Sequence, residues 1–177
     1  MNTNTYAKSA LMDFTDPARG TEWHAINDGV MGGQSQSEPQ IAGGCLHFKG
    51  IISLANNGGF ASIRARGQRH DLSGADSALL RVKGDGRTYQ FRLYTDAHYQ
   101  GSRIAYATTF ETIDNQWLEL RLHFSQLTPI FRGRTLPGPS FNPTRVEELG
   151  FMLADKHEGP FQLIVGWIKT VQAGTHA

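Results

Sequence analysis

Cysteine is almost missing from this chain. Cys45 is the one cysteine in 177 residues, which excludes an intramolecular disulfide and a cluster of thiolate metal ligands. Its neighbours Gly44 and Leu46 carry no charge that would activate a thiol, so Cys45 reads as a small buried hydrophobe. Long apolar runs are missing too. None approaches the roughly 20 residues of a helical bilayer span. Met1 to Ala10 holds neither the apolar core of a secretion signal nor an arginine of a mitochondrial presequence. These absences lead to the expectation of a soluble protein of a reducing compartment, the cytoplasm, with no membrane span. A surplus of either charge is also absent. Lysine and arginine number 17 against 16 acids, and a net charge of +1 gives no electrostatic footprint for nucleic acid.

Catalytic signatures are equally scarce. A Gly-x-Ser-x-Gly elbow and a His-Glu-x-x-His pair are both missing, so neither a hydrolase serine nor a zinc site is indicated. The seven histidines stand apart from one another. Glu147 and Glu148 are adjacent, and on a regular element they are expected to point apart rather than face each other across a substrate. Catalytic residues, metal ligands and cofactors are therefore not assigned.

What the chain does have is apolar residues, 39%, enough for a packed core, and alternation at period two. Ala78, Leu80 and Val82 alternate with Leu79, Arg81 and Lys83, and Tyr89, Phe91 and Leu93 alternate with Gln90, Arg92 and Tyr94. Between them lies Gly84-Asp85-Gly86-Arg87, which predicts a hairpin. Further strands are predicted over Ala10–Phe14, from Gln34, over Cys45–Lys49 and Ile51–Leu54 with a bend or bulge at Gly50, over Phe60–Arg66, and over Ile104–Phe110. Others are predicted around Leu118–Leu122 and Leu149–Leu153, with a long central strand over Phe161–Val171. Asp16-Pro17, Gly43-Gly44 and Asn56-Asn57-Gly58-Gly59 predict turns, the last a hairpin, and Pro143 to Glu148 a single helical turn. Short strands with closely spaced turns predict an all-β sandwich or barrel, with residues 1–9 as a loose leader, 10–172 as one domain and 173–177 as a tail.

The most unusual stretch is Asn27-Asp28-Gly29-Val30-Met31-Gly32-Gly33-Gln34-Ser35. Three glycines permit positive φ or close backbone approach. Asn27 and Asp28 are turn formers. Two readings stand. In one, Asn27, Asp28 and Gln34 face outward and bind a ligand or partner. In the other, the loop is a tight crossover, with Trp23 and Met31 plugging the core. Asn57 and Asp85 are further binding candidates, each with a turn-forming role that would explain it equally well. Tyr94 and Tyr99 are open as sugar-stacking rings. Arg132-Gly133-Arg134 is expected as a solvated loop.

Trp23 with this nine-residue loop resembles the signature of the complex I intermediate-associated protein 30 family. Asn57-Gly58-Gly59-Phe60-Ala61-Ser62, Gly84-Asp85-Gly86-Arg87-Thr88-Tyr89, Leu149 to Asp155 and Gly159 to Leu163 resemble its later blocks, in order, from about Asp13 to Val171. His123-Phe124 stands where the family often carries Pro-Phe. The resemblance implies a jelly-roll β-sandwich of galactose-binding domain-like type. It also implies a non-catalytic, chaperone-like assembly factor that holds a protein partner, with respiratory-complex subunits among the candidates. Partner-binding candidates are then Trp23, Asn27, Asp28, Met31, Gly32, Gly33, Gln34, Ser35, Asn57 and Asp85. The alternative is a carbohydrate-binding module, or a glycan-active enzyme, using a concave loop site.

Overall fold

The computed structural model describes residues 8–15, 22–67 and 69–174. The Asp16-Pro17 turn, residues 1–7 of the leader and the last residues of the tail lie outside them, as do the side chains of Val30 and Met31. The chain forms β1 (Lys8–Asp13), β2 (Glu22–Ala25), β3 (Gln36–Ala42), β4 (Cys45–Ile52), β5 (Ala61–Arg66), β6 (Ala75–Lys83) and β7 (Thr88–Tyr99). It continues through β8 (Ser102–Glu111), β9 (Trp117–His123), β10 (Thr128–Phe131), β11 (Arg134–Thr135), β12 (Glu148–Leu153) and β13 (Gly159–Gln172). Lys8 and Ser9 thus belong to a strand rather than to a loose leader, and 128–142, where no element was expected, holds β10 and β11.

Among the described residues the strands make two antiparallel sheets. The first runs β3-β4-β13-β6-β9, with β1 also on β13, and the second runs β11-β10-β8-β7-β12-β5-β2. Stacked face to face they form a sandwich of jelly-roll type, as expected. The core follows the alternation: Tyr89, Phe91 and Leu93 from β7 and Leu149, Phe151 and Leu153 from β12 meet Leu46, Phe48, Leu163 and Val165 from the other sheet. Hydrophobic burial of this kind, together with aromatic contacts across the interface such as Phe48–Tyr89 at 6.2 Å, holds the two sheets together. The long closing strand is central, flanked by β4 and β6. An irregularity between Val165 and Trp167 shifts its alternation, so Ile168 faces the core and Trp167 the outside.

The local prediction at Asp85-Gly86 fails in an informative way. β6 belongs to the first sheet and β7 to the second, so Gly84-Asp85-Gly86-Arg87 is a corner between sheets, not a hairpin. Its residues explain why. A Cβ on Gly84 would lie 2.3 Å from Thr112 Cβ, so the corner is pressed onto the end of β8. The Asp85 carboxylate accepts from Tyr89 Oη at 3.0 Å and from the Gln162 amide at 2.8 Å, tying both sheets to the corner. Asn56-Asn57-Gly58-Gly59 likewise links β4 to β5 across sheets, through a 3-10 turn over Ala55–Asn57. Gly50 is not a break. β4 runs through it in register, and glycine is needed because a Cβ there would meet Gln36 O at 1.9 Å.

Candidate functional site

The glycine loop is built around Asp28. A 3-10 turn over Asp28–Met31 ends at Gly32, whose φ of 88° is left-handed, and Gly33 N then donates to Asp28 O at 2.9 Å. This turns the Asp28 side chain inward, where it is 0% exposed. One carboxylate oxygen accepts from the Ser35 amide at 2.9 Å, the other from the amides of Gly59 at 2.7 Å and Phe60 at 3.3 Å. Two glycines make room: a Cβ would lie 2.3 Å from the Asp28 side chain at Gly33 and 2.5 Å from it at Gly58. Burial alone would raise the Asp28 pKa. The hydrogen bonds from Ser35, Gly59 and Phe60 outweigh it and hold the carboxyl below its ordinary value. Asp28 is therefore an ionised tie between two loops, and the outward orientation considered for it is corrected.

Asn27 does similar work. Its Oδ1 accepts from Ser37 Oγ at 2.6 Å and from the Ser62 amide at 3.2 Å, while Ser62 Oγ donates to Ile26 O. Ser35 is buried and exchanges hydrogen bonds with Ser53. Trp23 packs between Phe14 and Phe151, with ring centroids 6.3 and 6.2 Å away, which is the core-plug role. Left facing solvent are Gly32, Gln34 and Asn57. Beside them are two exposed aliphatics, Ile51 at 56% and Leu54 at 39%. Leu54 Cδ2 would lie 3.1 Å from a Cβ on Gly59, and Ile51 pairs with Gln36, so both border the tied loops.

Asp85 is part of a second tie at the inter-sheet corner. Next to it Arg87 grips Asp155 with two parallel bonds, Nε to Oδ2 at 2.8 Å and Nη2 to Oδ1 at 2.7 Å, and also reaches the carbonyls of His157 and Pro160. The Asp155 bonds raise the Arg87 pKa above its ordinary value. Residue Glu158 of the same turn accepts from Leu54 N at 3.0 Å, which links the corner to the loop end. Sequence reading missed Arg87 and Asp155 as a pair because they lie 68 residues apart. Glu147 and Glu148, expected to point apart, both reach Arg103, and Tyr94, left open as a stacking ring, is 3% exposed and lies under the Arg64 guanidinium at 3.9 Å. Trp117 and Trp167 are likewise covered, by Arg81 at 4.9 Å and Lys169 at 4.1 Å. A depression of about 440 Å³ lies away from Asp28, between Phe124, Leu136, Phe141 and neighbouring prolines. Among the described residues, no three His, Cys, Asp or Glu side chains gather as a metal site, and no helix is long and apolar enough to cross a membrane.

A two-sheet antiparallel jelly-roll with its loops tied by buried polar groups defines the class. The same architecture occurs in the family 11 carbohydrate-binding module from Clostridium thermocellum in complex with a β-1,3-1,4-mixed-linked tetrasaccharide. That likeness has a TM-score of 0.67 and covers 96% of this chain and 98% of the module, and at 15% identity it speaks to fold alone. The family model for Complex I intermediate-associated protein 30 matches residues 12–165, and the chain belongs to that family. Its relatives include the Complex I intermediate-associated protein 30, mitochondrial, of Drosophila melanogaster, 24% identical over 89% of this chain, and that of Mus musculus, 26% identical over 83%. The chain spans 61% and 51% of those two proteins. Both are named as mitochondrial, which overturns the expectation of a cytoplasmic protein.

Proposed function

We propose that this chain is a non-catalytic binding domain of an assembly factor, and that it holds a protein partner at the loop end formed around Asp28. The observation that supports this reading most directly is the exposure of Ile51, near the end of β4, and of Leu54 just after it, bordering loops that are fixed by buried hydrogen bonds. Exposed aliphatics rimmed by polar groups suit a protein surface better than a sugar. Loops that are already ordered lose little entropy on binding. The family points to subunits of respiratory complex I as the partner. The carbohydrate reading has the fold neighbour behind it, but the aromatic faces of Tyr94, Trp117 and Trp167 lie under cationic side chains rather than open to a sugar ring.

Affinity capture from native lysate, with the wild-type chain and an Ile51→Glu/Leu54→Glu variant of unchanged melting temperature, tests the proposal. Complex I subunits are expected with the wild type and not with the variant. Equal recovery by both, or no recovery alongside clear binding on a glycan array, sinks it.

A further inference from the structure

The first sheet ends on β9, which pairs with β6 on one side and with no strand among the described residues on the other. A sheet edge presents unpaired N–H and C=O groups that can template a further strand, and folds blunt such edges with prolines, bulges or short strands. The other edges here are blunted. β3 carries Pro39, β1 has an irregular register between Ala10 and Met12, and β2 and β11 are four and two residues long. β9 has none of these devices. Its seven residues, Trp117 to His123, run in unbroken register with β6 and include neither proline nor glycine.

The inward side chains of β9 are Leu118, Leu120 and Leu122. Leu122 is buried, but Leu118 and Leu120 pack on the core while only partly covered, so apolar surface remains at this margin. The outward side chains are Trp117, Glu119, Arg121 and His123. Glu119 is 50% exposed and lies 3.4 Å from Arg81, and Arg121 is 29% exposed and lies 3.0 Å from Asp76. These charges select both a partner and a register. Two antiparallel copies of β9 related by a dyad must oppose leucine to leucine, because a slip of one residue turns each inner side chain outward. Centred on Glu119, the dyad opposes two carboxylates, and centred on Arg121, two guanidinium groups. Centred on Leu120, it sets each Glu119 opposite the second copy's Arg121, Leu118 opposite Leu122, and Trp117 opposite His123. Signs then alternate across the junction, from Arg81 through Glu119 to the second copy's Arg121 and Asp76.

The geometry points to β9 as the pairing edge of a symmetric dimer, in which a second copy of this chain adds its own β9 antiparallel, centred on Leu120. The two first sheets then become one continuous sheet. Main-chain hydrogen bonds and the covered leucines supply the affinity, and the Glu119–Arg121 pairs fix the register. The Asp28 loop end borders β3 and β4, at the opposite edge of the sheet, so this pairing does not depend on the binding proposed there.

Sedimentation equilibrium of the purified chain, joined to hydrogen exchange at low and high protein concentration, tests this. A reversible monomer–dimer equilibrium is expected, with amide protection rising with concentration in residues 117–123. Arg121→Glu should weaken self-association about ten-fold or more, because two opposite-charge pairs become like-charge pairs. Glu119→Arg should do the same. Mixing the two variants should restore dimers, since each pair across the edge is again one carboxylate and one guanidinium. Glu38→Arg, on β3 at the opposite edge, should leave association unchanged. If a charge variant at β9 fails to fold, the wild-type exchange pattern decides. The dimer is overturned if the wild type stays monomeric at high concentration, if the added protection falls outside β9, if folded Arg121→Glu associates like the wild type, or if the mixed variants stay apart.

Discussion

Asp28 and Gly33 touch so closely that a methyl group on Gly33 would sit 2.3 Å from Asp28 Cγ. The aspartate is buried and bonded to the amides of Ser35, Gly59 and Phe60, so it cannot retreat without breaking a tie between two loops. Gly33→Ala is expected to destabilise the fold by about 1–3 kcal/mol, the usual range for overpacking. Gly32 differs: a Cβ there meets nothing, but its φ of 88° is left-handed, so Gly32→Ala should cost about 1 kcal/mol. Gln34→Ala, at an exposed position, should stay within about 0.5 kcal/mol of the wild type. Urea midpoints decide the order, and a single midpoint for all three variants would remove the argument.

The ionised state of Asp28 gives the loop an acid sensitivity. Its pKa is lower folded than unfolded, because the amide bonds stabilise the anion more than burial penalises it. A depressed carboxylate contributes stability above the unfolded value, about 3.9, and that contribution is lost as pH falls through the lower folded value. Wild-type stability should therefore begin to fall near pH 4 and keep falling below it. Asp28→Asn should start lower by about 2 kcal/mol, since its amide must oppose one of the N–H donors, and should show a shallower acid slope. Urea unfolding from pH 6 to pH 2.5 measures both, and parallel slopes would contradict the assignment.

Arg87 and Asp155 should behave as one unit. Their two parallel bonds are largely shielded, with side chains 14% and 17% exposed. A double-mutant cycle with Arg87→Ala and Asp155→Asn should give a coupling of about 1–3 kcal/mol, above the range of an exposed pair. Arg87→Lys should recover less than half of it, because an ammonium cannot reproduce the fork. Additive effects of the two substitutions would mean that the pair contributes nothing of its own.

The strands were legible in the sequence because alternation reports burial directly: Tyr89, Phe91 and Leu93 are all in the core, and Gln90 and Arg92 are not. The connections were less legible. Gly43-Gly44 does join paired strands with φ of 60° and 75°, as its composition promised. Two further tight hairpins stand at Gln100-Gly101 and Arg132-Gly133, again with positive φ at both residues, though the second was expected only as a solvated loop and neither as a hairpin. Asp85-Gly86, the strongest hairpin signal, joins strands of different sheets, because its Asp is claimed by Tyr89 and Gln162 rather than by a turn alone. A dipeptide reports that the chain bends. Which strand lies beside which is decided by contacts far along the chain, and the ties of Asp28 to Gly59 and Arg87 to Asp155 span 31 and 68 residues.

Tyr89 and Asp85 give that inter-sheet corner an alkaline counterpart to the acid behaviour of Asp28. Burial first, and then the neighbouring Asp85 carboxylate, push the Tyr89 phenol well above its ordinary pKa, so the folded chain keeps this proton where the unfolded chain gives it up. The raised folded value means that the stabilisation is complete below the unfolded pKa of about 10 and declines as pH rises beyond it. Tyr89→Phe removes two contacts of 3.0 Å to Asp85 and should cost about 1 kcal/mol at neutral pH. The same variant should lose stability less steeply than the wild type between pH 9.5 and pH 11, because one retained proton no longer distinguishes the two states. Urea midpoints across that interval provide the measurement, and a variant whose alkaline slope equals that of the wild type would show that the Tyr89 proton is not held by the fold.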